Sequence, residues 1–289
     1  HFEQVGQLDK ELNKPMTEDA VFRIYSMTKP IICVALMTLY EQGRFQLTDP
    51  VAKFIPAFND LKVLECDEKG EAKEVDLARP PTIRSLLTHT SGLSYDFLED
   101  FPVAELYRQA GILNNAERTL EELVHELSLL PLAFQPDSNW HYSLGIDVAA
   151  RLIEIISGQA LEQFLKENIF DPLGMVDTGF SVDPEEQHRI AAMYGLPDLC
   201  SPKMTMSKLF DAWSSGFNER IDVSATYPAP KSVAFARGGH GLFSTSWDYL
   251  RFSQMLLNEG ELAGVRILAR KTVNLMHTNY LQDDLLPYV

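Results

Sequence analysis

The stretch from Ser26 to Gly43 constrains the fold most. Ser26-Met27-Thr28-Lys29-Pro30 leads directly into the apolar run Ile31-Ile32-Cys33-Val34-Ala35. Ile32, Leu36, Leu39 and Tyr40 fall at helical spacing. The spacing predicts a helix that starts near Ser26 and ends at Gly43, which reads as its C-cap. Pro30 fits such a helix only in the first turn, where N–H groups have no intrahelical partner. Ser26 and Lys29 are then i and i+3 on one helical face. Lys29 can hold a hydrogen bond to the Ser26 hydroxyl or take its proton. The helix N-terminus favours negative charge developing there, and the Ser26 N–H is free to donate to an oxyanion. Alone, the S-x-x-K spacing is weak, because a Ser N-cap followed by a solvated Lys has the same sequence.

A chain of 289 residues can bury a large core, as one big domain or two lobes. Residues 61 to 78 read as a hairpin turning at Asp67-Glu68-Lys69-Gly70. Thr82 is a plausible N-cap for a short helix through Leu87. Helical patterns follow near 103–110, 119–129, 145–157, 160–168, 247–258 and 269–277, and 196–235 reads as long loops. The pattern implies a mostly helical lobe, 44–225, inserted into a lobe built from 1–43 and 226–289.

Acidic side chains number 41 against 25 basic, a formal charge of −16. Such a surface repels phosphate backbones and anionic headgroups, so nucleic acid and membrane surfaces are poor partners. No apolar run is long enough for a membrane span. No signal peptide is visible, and His1 leaves localisation open. Cys33, Cys66 and Cys200 are far apart and show no metal-ligand spacing, so three free thiols are expected, with Cys33 a buried small hydrophobe. His125, His188 and His277 are scattered, and no metal or cofactor motif is present.

Five segments, in order, change the weight of the S-x-x-K. They are Phe22 to Pro30, Leu86-Leu87-Thr88-His89-Thr90-Ser91-Gly92-Leu93, Gln135-Pro136 through Trp140-His141-Tyr142-Ser143, Phe170 to Met175, and Gly238-Gly239-His240-Gly241-Leu242-Phe243-Ser244-Thr245. Together they resemble the class C β-lactamase and penicillin-binding-protein-like serine hydrolases, closest in motif to the family VIII carboxylesterases. The resemblance implies an α/β (α+β) fold of the β-lactamase/transpeptidase type, an antiparallel sheet flanked by helices beside the helical lobe. It implies Ser26 as nucleophile, with Lys29 and Tyr142 as catalytic partners and no cofactor. Which of Lys29 and Tyr142 first takes the proton stays open. A phenol has an ordinary pKa of about 10, but an adjacent ammonium favours the phenolate.

Two departures from the family shape the expected activity. Leu144 stands where β-lactamases place an Asn that anchors the substrate amide. This shifts the expectation towards small esters, with a β-lactamase or D-alanyl-D-alanine carboxypeptidase as the alternative and a silent ligand sensor as the rival from another class. Leu144, Ser143 and His240 are the candidate substrate contacts, although His240, in a loop ahead of a turn, also reads as structural. His89 and Thr90 match no catalytic position and are expected to pack beneath the site. Lys271-Thr272-Val273 sits in a helical pattern and does not serve as the family's third motif, which is expected beyond Val289. The expected partner is a small acyl substrate; the oligomeric state is left open.

Overall fold

The computed structural model describes residues 2–66, 71–98, 100–113, 115–195, 219–230 and 235–281. In chain order the elements are β1 (Gln7–Asp9), β2 (Lys14–Pro15), β3 (Val21–Arg23), α1 (Thr28–Glu41), β4 (Lys62–Cys66), β5 (Ala72–Asp76), α2 (Ile83–Leu87), α3 (Val103–Gln109), α4 (Leu120–Ser128) and α5 (Gly145–Ser157). There follow α6 (Leu161–Leu165), α7 (Asp171–Leu173), β6 (Tyr194–Gly195), β7 (Glu219–Arg220), β8 (Phe243–Thr245), α8 (Ser246–Leu257), β9 (Glu261–Leu262), β10 (Val265–Arg266) and α9 (Arg270–Met276). Among the described residues the strands pair two by two and antiparallel: β1 with β2, β3 with β8, β4 with β5, β6 with β7, β9 with β10.

The helix expected from Ser26 begins with a single 3₁₀ turn, Tyr25–Met27, and continues as α1. Gly43 follows it with φ +69° and donates to the Tyr40 carbonyl, while Arg44 N–H reaches back to Leu39 O. Such a left-handed residue closes a helix at no steric cost only when it has no Cβ. Capping boxes start α2 at Thr82 and α4 at Thr119. The 160–168 pattern divides: α6 stops at Leu165, and a wider π turn over Lys166–Phe170 hands the chain to α7, where Pro172 cannot donate to a helical ladder. Within 196–235 the loop reading needs one correction. Residues 196–218 and 231–234 lie outside the described residues, and β7 pairs with β6. The hairpin turn 67–70 and Cys200 also lie outside them. Cys33 and Cys66 are free, and burial pushes the Cys33 thiol up to about 12, so it packs as a hydrophobe.

Nearly every side of α1 is covered, since Ile31, Ile32, Val34, Ala35, Leu36, Met37 and Leu39 are all buried. A helix apolar all round belongs in the middle of a core. It packs against α5, and each fully buried Ile or Leu contributes about 1.5–3 kcal/mol over an exposed one. The main apolar cluster runs from Ile24 through α1, α2, α4 and α5 to Val273; a smaller one gathers Val21, Tyr227, Phe235 and Phe243 around the β3–β8 pair. The lobe boundaries at 43/44 and 225/226 remain our proposal; the main cluster has members on both sides of them. Its effect is to fix one end of α1 rigidly in space, and that end carries Ser26.

Candidate active site

The site begins at a sharp strand-to-helix turn. β3 pairs with β8 in the register Val21↔Thr245, Phe22↔Ser244 and Arg23↔Phe243, and Ile24 N–H donates to Leu242 O at 3.0 Å. At Tyr25 the backbone turns left-handed, φ +42°. That conformation is an outlier for an aromatic residue, and such strain persists only where surrounding contacts over-determine it. Here the Tyr25 ring packs on Tyr227, centroids 5.1 Å apart, and the Tyr227 hydroxyl donates to Leu242 O. The turn leaves Ser26 exposed at the head of α1, while Lys29, one turn on, is buried.

The Lys29 ammonium group has three acceptors. Nζ donates to Ser26 Oγ at 3.2 Å, to Tyr95 Oη at 3.0 Å and to the Gly239 carbonyl at 2.8 Å. Three acceptors match the three N–H groups of a protonated lysine. On its other side Ser26 Oγ meets the Tyr142 hydroxyl at 2.5 Å. Lys29 Nζ also lies 4.5 Å from the Tyr142 ring centroid. Ser26, Lys29 and Tyr142, 116 positions apart at the extremes, thus meet at one point.

The loop carrying Tyr142 is held by the turn at residues 88–95. Asp137 N–H donates to Thr90 O, His141 N–H to His89 O and Leu144 N–H to Ser94 O. Side chains lock the same two segments: His89 Nδ1 with Ser143 Oγ at 3.0 Å, His141 Nε2 with Ser94 Oγ at 3.0 Å, and Thr90 Oγ1 donating to Asp137 Oδ1 at 2.9 Å. His89 itself is left-handed, φ +57°, and its ring lies 5.0 Å from that of Tyr142. Burial, helped by the Lys29 charge, pushes the His89 imidazole down to about 3. Burial likewise takes His141 down to about 4. Both rings are therefore neutral near pH 7, as a hydrogen bond to a hydroxyl in a dry setting favours. His89 and Thr90 pack beneath the site, where they were expected.

Two of the three expected substrate contacts need correction. Leu144 is fully buried in the main cluster, next to the first turn of α5, and presents no surface to the cleft. Ser143 is 1% exposed, and its hydroxyl is taken by His89 and by the Gly145 N–H. The physical reason is the entry into α5: Gly145 comes so close to α2 that a Cβ would stand 2.7 Å from Leu86 O, which pulls both preceding side chains inward. His240 stays half-buried, packed against Tyr227 and Phe235. Burial and the Lys29 and Arg237 charges push its imidazole down to about 3. His125 lies in the last turn of α4, His188 sits in a 3₁₀ turn and His277 caps α9, which also contains Lys271-Thr272-Val273.

Three site residues escaped the sequence reading: Tyr95, Gly239 and Asp147. Burial, reinforced by Asp147, raises the Tyr95 phenol well above its ordinary value, so it meets Lys29 as a neutral hydroxyl. Tyr95 follows the 86–93 segment by two residues, but no periodicity marks it as a lysine partner. Gly239 lay within a quoted segment, but nothing in sequence shows its carbonyl reaching α1. Asp147 sits inside a helical pattern, where an acidic residue reads as solvated surface.

Comparison with known proteins identifies the family. The sequence model of the Beta-lactamase family matches residues 1–286. Protein Rv1367c of Mycobacterium tuberculosis is 36% identical over 282 residues, covering 97% of this chain and 65% of that protein. Esterase EstB of Burkholderia gladioli is 33% identical over 257 residues, 85% of this chain and 59% of EstB. Among solved structures, EstCE1, described as a hydrolase with promiscuous acyltransferase activity, superposes with a TM-score of 0.72 at 28% identity, covering 93% of this chain and 66% of EstCE1. The chain thus spans a little under two thirds of the length of these curated relatives. With a family model spanning almost the whole chain and the fold shared, the chain belongs to the Beta-lactamase family, and its relatives include an esterase and acyltransferases.

Proposed function

We propose that the chain carries the acyl-enzyme site of a carboxylesterase acting on small esters, with Ser26 as nucleophile. The observation that carries the reading is the exposed Ser26 hydroxyl held between Tyr142 Oη at 2.5 Å and Lys29 Nζ at 3.2 Å. Both neighbours reach the Ser26 oxygen, since Lys29 Nζ and the Tyr142 hydroxyl each donate to it. In this reading the Lys29–Tyr142 pair, sharing one proton fewer than when both groups are fully protonated, takes the Ser26 proton as Ser26 Oγ attacks the ester carbonyl. The oxyanion is stabilised by the Ser26 N–H and the head of the helix. The pair then passes the proton to the leaving alcohol, and the cycle repeats with water, which frees the acid.

Two arms test it. Intact-mass analysis after a fluorophosphonate or p-nitrophenyl butyrate should show one acyl or phosphonyl adduct on the wild type and none on Ser26→Ala; equal labelling ends the proposal. Parallel rates on p-nitrophenyl butyrate and a chromogenic cephalosporin separate an esterase from a β-lactamase, and labelling without turnover would point to a sensor. A second reading follows from the same acyl-enzyme. Ser26 is exposed and EstCE1 is described as having acyltransferase activity, so an alcohol could replace water as acceptor. Product analysis in added alcohol detects the transferred ester.

A further inference from the structure

Asp147 takes no part in the steps just described, yet it is fully buried in the first turn of α5. Its Oδ1 accepts the Gly239 N–H at 3.0 Å. Its Oδ2 has no hydrogen-bond partner among the described residues. The carboxylate is wedged against Gly239: a Cβ on that glycine would stand 2.4 Å from Asp147 Oδ2 and 3.1 Å from Tyr95 Oη. On the other side of the same Cα, the Gly239 carbonyl accepts from Lys29 at 2.8 Å. The neighbouring Gly238 is equally confined, since its Cβ would meet Ala150 Cβ at 2.5 Å and Ile146 O at 2.7 Å. The glycine pair therefore lies close on α5, and Asp147 holds the Gly239 N–H.

We propose that Asp147 is a positioning residue for Lys29, acting through Gly239. Lys29 has four rotatable side-chain bonds, and its nitrogen stays on Ser26 only while all three acceptors stand in place. Tyr95 is fixed by its own packing, stacked on Phe97 at 4.9 Å. The Gly239 carbonyl belongs to a glycine, the residue with the widest backbone freedom. A hydrogen bond to a buried carboxylate oxygen restrains that freedom and points the carbonyl at α1. Displacing it lets Nζ follow the carbonyl or swing to Tyr95, and either movement opens the 3.2 Å contact to Ser26. What the role needs is the oxygen at Oδ1; the negative charge is not required.

The inference rests on the hydrolase reading, and the test separates the two. Wild type, Asp147→Asn and Asp147→Ala are compared in p-nitrophenyl butyrate hydrolysis and in Gly239 amide hydrogen exchange by NMR. Asn keeps the acceptor and drops the charge; Ala drops both. Expected are a loss in kcat of about tenfold or more for Asp147→Ala with KM within about twofold, and Asp147→Asn within about threefold of wild type, since misplacement of a catalytic group by 1 Å can cost on the order of a hundredfold. Gly239 exchange should accelerate in Asp147→Ala only. Should Asp147→Ala fail to fold, Gly239→Ala takes its place: the added Cβ drives residue 239 off Asp147 and should lower kcat similarly. The proposal is overturned if Asp147→Asn is as impaired as Asp147→Ala, if Gly239 exchange is unchanged in Asp147→Ala, or if Gly239→Ala keeps wild-type kcat. A wild type that neither labels at Ser26 nor turns over ester defeats the hydrolase reading instead, while amide exchange still scores the Asp147–Gly239 clamp.

Discussion

At the scale of single residues, burial and hydrogen bonding fix where the Lys29 nitrogen stands, which the S-x-x-K spacing leaves open. Its three contacts, at 3.2, 3.0 and 2.8 Å, form a tripod around a compact ammonium. A guanidinium is planar and cannot address three acceptors arranged around a point. Lys29→Arg should therefore fail almost as badly as Lys29→Ala, each losing roughly 10²–10⁴ in kcat/KM on a p-nitrophenyl ester, the range for removing a proton-transfer partner. Substantial activity in the Arg variant would show that positive charge alone suffices. Tyr25 belongs to the same scale. Its left-handed backbone lifts Ser26 out of the strand direction, and the β3–β8 pair and Tyr227 bear the cost.

Among elements, the Tyr142 loop and the 88–95 turn behave as one unit, tied by backbone bonds and by the His89–Ser143 and His141–Ser94 pairs. The burial of Leu144 changes what its substitution should do. Asn at this position places an unpartnered amide in an apolar core, at a cost of about 1–3 kcal/mol. The expected outcome for Leu144→Asn is a lower Tm, with the ratio of ester to cephalosporin turnover unchanged. Calorimetry and the paired rates check it; a ratio that moves while Tm holds would place the side chain on the substrate after all. Breaking the latch instead, with His89→Ala, removes the imidazole bond to Ser143 and frees the ring face of Tyr142. That variant should lower kcat and add mobility to Tyr142 detectable in its aromatic NMR linewidth. Wild-type kcat would show that the backbone bonds suffice.

For the molecule as a whole, buried neutral histidines make stability depend on pH. His141 is 4% exposed, with its imidazole at about 4 in the folded protein against about 6.5 when unfolded. Below about 6.5 the unfolded chain binds a proton that the folded one refuses until about 4, so His141 removes stability as the pH falls through that window. By pH 5 its share is about 2 kcal/mol. The raised pKa values of buried Asp96, Asp147 and Asp248 act in the opposite direction, so the whole-protein slope is a sum. His141→Gln isolates one contribution: the Tm gap between wild type and variant should narrow from pH 7 to pH 5. A constant gap means that the ring is already charged, or solvated, in the folded state. The charge of −16 sets the outer surface independently of this interior chemistry.

The sequence by itself determined what depends on neighbours along the chain. α1 and its capping glycine, the Thr82 and Thr119 caps, the β4–β5 hairpin and α5 are all set by helical or alternating spacing and by residues that end an element within a turn of it. Ser26, Lys29 and Tyr142 were legible because ordered segments resemble a family, and the first two also because i and i+3 share a helix face. Tertiary structure alone decided which side chains look into the cleft and which turn away. Leu144 and Ser143 are adjacent to Tyr142 in sequence, yet the close approach of Gly145 to α2 rotates both into the interior. Tyr95, 66 positions from Lys29, and Gly239, 210 positions away, enter the site because the core presses α1, the 88–95 turn and the glycine pair together. Sequence spacing does not encode such meetings. They depend on three-dimensional packing, where the desolvation of Lys29 and the exclusion of a Cβ at Gly239 select the partners.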